Sequence, residues 1–179
     1  MPPSARSRRS SAPNAARWAR VRLFAMDVDG VLTDGTVHIS SDGSESKAFS
    51  ILDGHGLRRL ARAGVAVAWI SGRTSGATTA RAKELAIPHV IQGPVEKLTS
   101  LQELAGRLGL GAAECAYMGD DEIDVAAMRW AGIAIAPPAA MPVARAAAHL
   151  VTERAGGHGA VREVCELLLA AREGKRGAR

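Results

Sequence analysis

Met26-Asp27-Val28-Asp29-Gly30 directly follows an apolar run that begins at Val21. The run is typical of a short buried strand, so the two aspartates stand at its carboxyl end, before a glycine-containing turn. In an open α/β sheet, the carboxyl ends of parallel strands are where ligands bind. Crowded carboxylates repel one another and usually need a cation. The stretch therefore predicts a Mg²⁺ site that handles phosphate.

Short apolar runs alternate with helical patterns along the rest of the chain. The predicted strands are 21–26, 65–70, 89–91, 114–118, 133–136 and 149–152. The predicted helices are 56–63, 74–85, 96–108, 123–131, 141–148 and 160–171. This alternation predicts an α/β fold, a Rossmann-like doubly wound parallel sheet with helices on both faces. Asp42-Gly43 lies between 36–39 and 46–50 and predicts a β-hairpin after the first aspartate motif.

The chain has 179 residues, which fits one folded domain. Six of its 23 basic side chains lie within residues 1–22, where no acidic residue occurs. We expect a disordered basic tail at 1–20, a folded domain at 21–172 and a frayed tail at 173–179. A nucleic-acid-binding arm, a transit peptide and a poorly ordered extension all remain open for the first segment.

Residues 1–20 contain no apolar stretch of the kind that a signal peptide needs, and the run 65–70 is too short to cross a bilayer. The two cysteines, Cys115 and Cys165, lie in apolar surroundings without metal-ligand spacing. We expect them to be buried free thiols in a reducing cytoplasm.

Phosphoryl transfer needs a nucleophile, a proton shuttle, a cation and donors for the phosphoryl oxygens. Asp27 is the candidate nucleophile, and Asp29 is the candidate proton shuttle. Asp120, in the second acidic cluster at 119–124, is placed to hold Mg²⁺ together with Asp27 and the backbone carbonyl of Asp29. Ser71 ends the strand at 65–70 and Lys97 begins a helix, so both suit phosphoryl oxygens. Each pattern alone is also typical of a solvated turn, and their joint order favours a site.

In that order, the four segments resemble the four motifs of the haloacid dehalogenase superfamily of phosphatases. The chain is more closely similar to the 3-deoxy-D-manno-octulosonate 8-phosphate (KDO 8-phosphate) phosphatase family over about residues 21–171. The resemblance is carried by 27–35, Lys47-Ala48-Phe49, Asp53-Gly54-His55-Gly56, 70–73, Gln92-Gly93, 118–124 and 156–163.

The resemblance implies a Mg²⁺-dependent hydrolase of lipopolysaccharide biosynthesis that works through an aspartyl-phosphate on Asp27. It implies that Asp27, Asp29 and Asp120 hold Mg²⁺ and that Asp121 and Asp124 support the metal. It also implies sugar-phosphate contacts from Asp29, Ser50, Ile51, Leu52, Asp53, Gly54, Arg58, Arg73, Arg81 and Lys97. The family implies no large cap domain, a cytoplasmic homotetramer, and neighbouring chains that cover the site.

Two positions depart from the family pattern: Leu52 stands where a basic residue is common, and His158 replaces an arginine of the glycine-rich tail. They leave a sialic-acid-type 9-phosphate open as an alternative substrate. A catalytically idle interaction module is a second alternative, although it has no chemical need for all five site residues. Nucleic-acid binding is a third alternative, which the scarcity of aromatic residues disfavours.

Overall fold

The computed structural model describes residues 12–177 of the chain. Six parallel strands form its central sheet in the order β5-β4-β1-β6-β7-β8. They are β1 (Leu23–Met26), β4 (Ala66–Ser71), β5 (His89–Gln92), β6 (Cys115–Met118), β7 (Ile133–Ala136) and β8 (Leu150–Val151). The predicted doubly wound sheet is confirmed, and each strand lies within two residues of its predicted bounds.

The direction of winding reverses beside β1. The chain moves outward from β1 to β4 and β5, and it then crosses back to place β6 on the other side of β1. Met26, the last residue of β1, pairs with Trp69 of β4 and with Met118 of β6. The carboxyl ends of these three strands therefore border one crevice, where open α/β sheets bind ligands.

Helices cover both faces of the sheet. They are α1 (Ala15–Trp18), α2 (Ile51–Arg62), α3 (Gly76–Leu85), α4 (Lys97–Arg107), α5 (Val125–Trp130), α6 (Pro142–Ala147) and α7 (Ala160–Gly177). Alternate residues of β1 point to opposite faces: Phe24 and Met26 pack with α2 and α7, whereas Leu23 and Ala25 pack with α4, α5 and α6. The predicted helix 123–131 is split into a short 3₁₀ turn, Glu122–Asp124, and α5.

A small antiparallel hairpin, β2 (His38–Ile39) and β3 (Glu45–Ser46), separates β1 from α2. Gly43 has a φ of 82° in its turn, a conformation that favours glycine. The hairpin confirms the Asp-Gly prediction, although its strands are shorter than 36–39 and 46–50. It is the only insertion between β1 and α2 in residues 12–177, so the expected absence of a large cap holds for the described chain.

Helix α2 begins five residues earlier than predicted. Ser50 caps it, because its side-chain oxygen accepts hydrogen bonds from the backbone of Leu52 and Asp53. Gly54 concealed this start, because glycine disfavours a helix interior. Close packing explains this glycine: a Cβ on Gly54 would lie 2.6 Å from Nη2 of Arg81 and 3.0 Å from Cδ2 of Leu85, both on α3.

Helical residues occur within both segments that the sequence predicts as tails. Residues 1–11 lie outside the described residues, but Ala15–Trp18 forms a helical turn whose Trp18 is only 6% exposed. Trp18 joins the core beneath α7, so burial of its ring explains why residues 12–20 are ordered. At the other end, α7 continues through Gly177 rather than fraying from residue 173. Within residues 12–177, no helix is long and apolar enough to cross a membrane.

Candidate active site

A cavity of about 320 Å³ opens at the carboxyl edge of the sheet, beside the point where the winding reverses. Its lining comes from the ends of β1, β4 and β6 and from the loops that follow them. The lining residues are Asp27, Asp29, Gly35, Ser71, Gly72, Arg73, Asp120, Asp121 and Ile123. Three stretches that are far apart in the sequence thus line one cavity, and their chemical roles stay predictions.

Asp27 is the first residue after β1, and its carboxylate is almost completely buried. Its Oδ1 accepts a hydrogen bond of 2.7 Å from the backbone of Val28, and its Oδ2 lies 2.9 Å from Nζ of Lys97. Burial and, second, repulsion from Asp124 raise the pKa of Asp27, whereas Lys97 opposes that rise. The carboxylate is held in one orientation at the floor of the cavity.

Lys97 is the first residue of α4, and only 2% of its side chain is exposed. Its Nζ lies between two carboxylates, 2.9 Å from Asp27 and 2.7 Å from Asp124. Burial lowers the pKa of Lys97, but the charges of Asp27 and Asp124 outweigh burial and raise it. The lysine is therefore a fixed positive charge beside the candidate nucleophile.

Asp120 follows β6 and completes a triad with Asp27 and Asp124, whose oxygens lie within 4.8 Å of one another. Its Oδ1 is buried and has no hydrogen-bond partner among the described residues. Burial, followed by repulsion from Asp27 and Asp124, raises the pKa of Asp120 to about 7. An unpartnered buried carboxylate oxygen beside two further carboxylates is typical of a divalent-cation site.

Asp124 is fully buried, and the oxygens of its carboxylate already have partners. Oδ1 accepts from Lys97 and from the hydroxyl of Tyr117 at 2.9 Å, and Oδ2 accepts from the backbone of residues 120 and 121. Asp124 thus supports the loop and the lysine, and its supporting part toward a metal stays a prediction. The contact with Tyr117 was not predicted, since a strand tyrosine gives no sign of its partner.

Asp121, which the sequence analysis offered as a metal residue, is exposed and lies outside the carboxylate triad. Its side chain instead accepts a hydrogen bond of 2.6 Å from the backbone of Glu122 and caps the 3₁₀ turn. The carboxylate next to Asp27 and Asp120 is that of Asp124. Asp121 also lines the cavity, so its predicted part in holding the metal stays a prediction.

Asp29 lines the cavity, but its carboxylate lies outside the triad. Its Oδ1 lies 2.6 Å from Nζ of Lys47, whose side chain is completely buried. Lys47 lies within a stretch that carries the family resemblance, and no role was predicted for it. The backbone carbonyl of Asp29 as a metal ligand stays a prediction.

Ser71 ends β4 and is buried at the cavity wall. Its Oγ accepts a hydrogen bond of 3.2 Å from the backbone of Arg73. Arg73 also lines the cavity, and its guanidinium lies 2.9 Å from Oε2 of Glu45 on the hairpin. The hydroxyl and the guanidinium are thus two donors on the β4 side of the cavity, opposite Asp120.

Among the residues predicted from family resemblance to contact the sugar, only Arg73 joins Asp29 in lining this cavity. Asp53 is buried and instead accepts backbone hydrogen bonds from Gly159 at 3.2 Å and Arg162 at 2.7 Å. Arg58 donates to the carbonyl of Glu84, so it is engaged with α3. The others lie on α2 and α3, away from the cavity of their own chain: Ser50, Ile51, Leu52, Gly54 and Arg81.

The glycine-rich loop 155–159 packs against the turn that follows Asp29. The backbone of Gly157 donates a 3.0 Å hydrogen bond to Val31, and a Cβ on Gly157 would lie 2.7 Å from the backbone of Thr33. His158 is exposed and does not line the cavity. In this chain the loop supports the first aspartate motif from the side and leaves the cavity uncovered.

Comparisons with known proteins agree with this geometry. A family model described as haloacid dehalogenase-like hydrolase matches residues 83–164. The 3-deoxy-D-manno-octulosonate 8-phosphate phosphatase of Yersinia pestis is 42% identical over 162 residues, which cover 90% of this chain and 87% of that protein. Its counterpart in Escherichia coli K12 is 41% identical over 161 residues, or 90% and 86% of the two chains.

This chain is also similar to a solved structure, both in sequence and in fold. The crystal structure of 3-deoxy-D-manno-octulosonate 8-phosphate phosphatase from Moraxella catarrhalis, in complex with magnesium, phosphate and KDO, superposes with a TM-score of 0.87. That protein is 45% identical to this chain, and the match covers 91% of this chain and 94% of that one.

Proposed function

The chain belongs to the KDO 8-phosphate phosphatase family of the haloacid dehalogenase superfamily, and we propose that it hydrolyses KDO 8-phosphate to KDO and inorganic phosphate. This reaction belongs to lipopolysaccharide biosynthesis. The observation that carries the proposal is the carboxylate of Asp27, which is oriented at the floor of the cavity by Lys97 and faces a second, half-buried carboxylate, Asp120. An idle interaction module has no chemical need for this buried, mutually repelling arrangement.

Magnesium is the cofactor, and the residues present fit it. The unpartnered Oδ1 of Asp120 and the neighbouring carboxylate of Asp27 supply hard oxygen ligands, and the backbone carbonyl of Asp29 is our third candidate. Asp124 supports these ligands, since its carboxylate holds Lys97 and the backbone of the loop that carries Asp120. Bound Mg²⁺ neutralises charge on the phosphoryl oxygens and on the clustered carboxylates.

In the first step, a carboxylate oxygen of Asp27 attacks phosphorus. The bond from phosphorus to the sugar oxygen breaks, and Asp29, in its protonated form, gives a proton to that oxygen. The products are the free sugar acid and an aspartyl-phosphate. Lys97 keeps Asp27 in place, and the ammonium charge also offsets the negative charge of the incoming phosphate.

In the second step, water attacks phosphorus of the aspartyl-phosphate. The Asp29 carboxylate accepts a proton from this water, the bond between Asp27 and phosphorus breaks, and inorganic phosphate leaves. Both aspartates return to their starting forms. Ser71 donates to a phosphoryl oxygen, and Arg73 binds the carboxylate of the sugar acid from the same side of the cavity.

The remaining sugar contacts belong to a neighbouring chain in our proposal. Residues 50–52 and 54, with Arg58 and Arg81, lie away from the cavity of their own chain, while Ile51 is 81% exposed and Ile39 on the hairpin is 63% exposed. Asp53 is not included, because its carboxylate is buried within its own chain. Exposed apolar side chains beside a predicted binding segment favour an oligomer, and we propose a homotetramer. A cytoplasmic location stays a prediction from the free thiols of Cys115 and Cys165.

The test is phosphate release from KDO 8-phosphate in the presence of Mg²⁺. We expect Asp27→Asn to abolish turnover, because an amide cannot attack phosphorus in this way. The matched control is Asp34→Asn, which removes an exposed carboxylate from the same loop and leaves activity unchanged. Full activity of Asp27→Asn would overturn the mechanism.

The same assay with a sialic-acid-type 9-phosphate decides between the two substrates. Leu52, at a position where a basic residue is common in the family, is the observation that keeps the second substrate under test. A higher kcat/KM on the 9-phosphate would replace the proposed substrate and leave the roles of the aspartates intact.

A further inference from the structure

Besides the four superfamily motifs, one charged side chain reaches the reaction centre from the segment that follows the hairpin. Lys47 lies one residue after β3, and its Nζ is 2.6 Å from Oδ1 of Asp29 at the end of β1. The two residues are 18 positions apart in the chain, so the contact joins separate segments. The whole Lys47 side chain is buried, which is unusual for a lysine that is only structural.

We propose that Lys47 is a positioning residue that holds the carboxyl group of Asp29 in the orientation needed for proton transfer. The proposal rests on the function proposed above, in which Asp29 exchanges protons with the sugar oxygen and with water. It assigns a role within the reaction to the hairpin.

The contact fixes one oxygen of Asp29 and leaves the other for chemistry. Lys47 pairs with Oδ1, and none of the hydrogen bonds within residues 12–177 involves Oδ2. Asp29 itself lines the cavity. An ion pair to a buried lysine restricts the rotation of the carboxyl group, so Oδ2 stays available toward the bound ester.

Lys47 acts through Asp29 rather than on the substrate. It does not line the cavity, and its side chain has no exposed surface. Asp29 therefore stands between Lys47 and the bound phosphate.

A second contact fixes the position of the hairpin, in addition to the ion pair between Lys47 and Asp29. Glu45, two residues before Lys47, lies 2.9 Å from Arg73 and accepts a hydrogen bond from Ser75, at the start of α3. Residues two apart in an extended segment point to the same side. The hairpin is thus attached at the ends of both β1 and β4, which keeps Lys47 beside Asp29.

The test compares an alkyl and an aryl phosphate in the full-length, Mg²⁺-loaded enzyme. The sugar oxygen of KDO 8-phosphate is a poor leaving group that must be protonated, whereas p-nitrophenolate leaves without a proton. The ratio kcat/KM reports only the steps up to departure of the leaving group. It therefore isolates the step in which Asp29 acts as an acid.

For Lys47→Met we expect kcat/KM to fall at least about tenfold on the sugar phosphate and less than about threefold on p-nitrophenyl phosphate. Lys47→Arg, which keeps the charge, restores part of the loss on the sugar phosphate. The matched control is Ser46→Ala, which alters an exposed neighbour in β3. We expect this control to leave kcat/KM unchanged on both substrates. If Lys47→Met does not fold, Lys47→Gln carries the same comparison with a smaller loss in the same direction.

Equal losses on both substrates would overturn the proposal, since a displaced hairpin that only damages the cavity affects both alike. Unchanged kcat/KM on both substrates would overturn it as well. Failure of the proposed function is separate: a wild-type enzyme that releases phosphate from other sugar phosphates but not from KDO 8-phosphate refutes the substrate. The Lys47 comparison then proceeds on that other alkyl phosphate.

Discussion

Gly30 packs so closely against Asp120 that a Cβ on Gly30 would overlap the Asp120 carboxylate. Gly30 also has a φ of 87°, which side-chain-bearing residues rarely adopt. We expect Gly30→Ala to displace Asp120 and to weaken Mg²⁺ binding at least about tenfold, because the ligand set loses its geometry. Isothermal titration of the metal-free protein with Mg²⁺ measures this change.

Gly35→Ala is the matched control for that prediction. Gly35 has a similar φ of 85°, but the nearest atom to its Cβ position is Cα of Gly30 at 3.6 Å. The control therefore carries the same backbone strain, of about 1 kcal/mol, without the overlap. Equal Mg²⁺ affinity in the two variants would show that the contact between Gly30 and Asp120 does not shape the metal site.

Mg²⁺ binding should depend on pH through Asp120. The pKa of Asp120 is raised from its ordinary 3.8 to about 7. Between these two pH values, Asp120 therefore carries a proton in the metal-free native state that it has lost in the unfolded chain. Asp120 therefore lowers the free energy of unfolding of the metal-free protein as the pH rises from about 4 to about 7. Stabilisation by Mg²⁺ grows over the same pH interval, because the proton no longer competes with the metal.

We expect the Mg²⁺ dissociation constant to be about tenfold higher at pH 6 than at pH 8, since one proton competes with the metal. Thermal unfolding with and without Mg²⁺ measures this, and the rise in Tm should be larger at pH 8. Asp120→Asn should remove most of the rise at both pH values. A rise that is the same at pH 6 and pH 8 in the wild type would contradict the linkage.

The fold was predictable because its signals are local. β1, β6 and β7 are short apolar runs that are followed directly by glycine, proline or acidic residues. Parallel strands place such ends at one edge of the sheet. That rule is enough to bring Asp27, Asp120 and the hydroxyl of Ser71 to one cavity. None of these inferences needs a contact between particular side chains.

What the sequence could not supply were pairings between distant segments. Lys47 carries no local sign of its partner on β1, and Tyr117 carries none of Asp124. The start of α2 was missed because Gly54 lowers helix propensity, whereas close packing against Arg81 and Leu85 of α3 favours a glycine there. The capping hydrogen bond of Asp121 was not predicted, because it depends on the shape of the turn.

Lys97→Met tests the electrostatics of the buried carboxylates. Asp27 and Asp124 would lose the cation that they share, and an uncompensated buried charge is strongly destabilising. Without Mg²⁺ we expect the free energy of unfolding to fall by about 3–5 kcal/mol, measured by urea denaturation. Mg²⁺ should recover part of this stability but not the activity, because the phosphate still lacks its ammonium partner.

Lys83→Met is the control for charge loss in general, since Lys83 is an exposed lysine on α3. It should change the free energy of unfolding by less than about 0.5 kcal/mol. A Lys97→Met protein as stable as this control would mean that the carboxylates do not depend on Lys97.

A substitution of Asp53 distinguishes a structural role of this residue from the sugar contact that family resemblance implies. Its buried carboxylate accepts hydrogen bonds from the backbone of Gly159 and Arg162 and so ties α2 to the first turn of α7. We expect Asp53→Ala to lower the free energy of unfolding by about 1–3 kcal/mol, because two buried backbone donors lose their partner. The KM for the sugar phosphate should stay within about twofold of wild type under conditions where the variant is folded, since the side chain does not face the cavity.

Urea denaturation and steady-state kinetics on the same preparation measure both quantities, with Asp42→Ala, in the exposed hairpin turn, as the control. A large rise in KM with unchanged stability would instead assign Asp53 to the substrate.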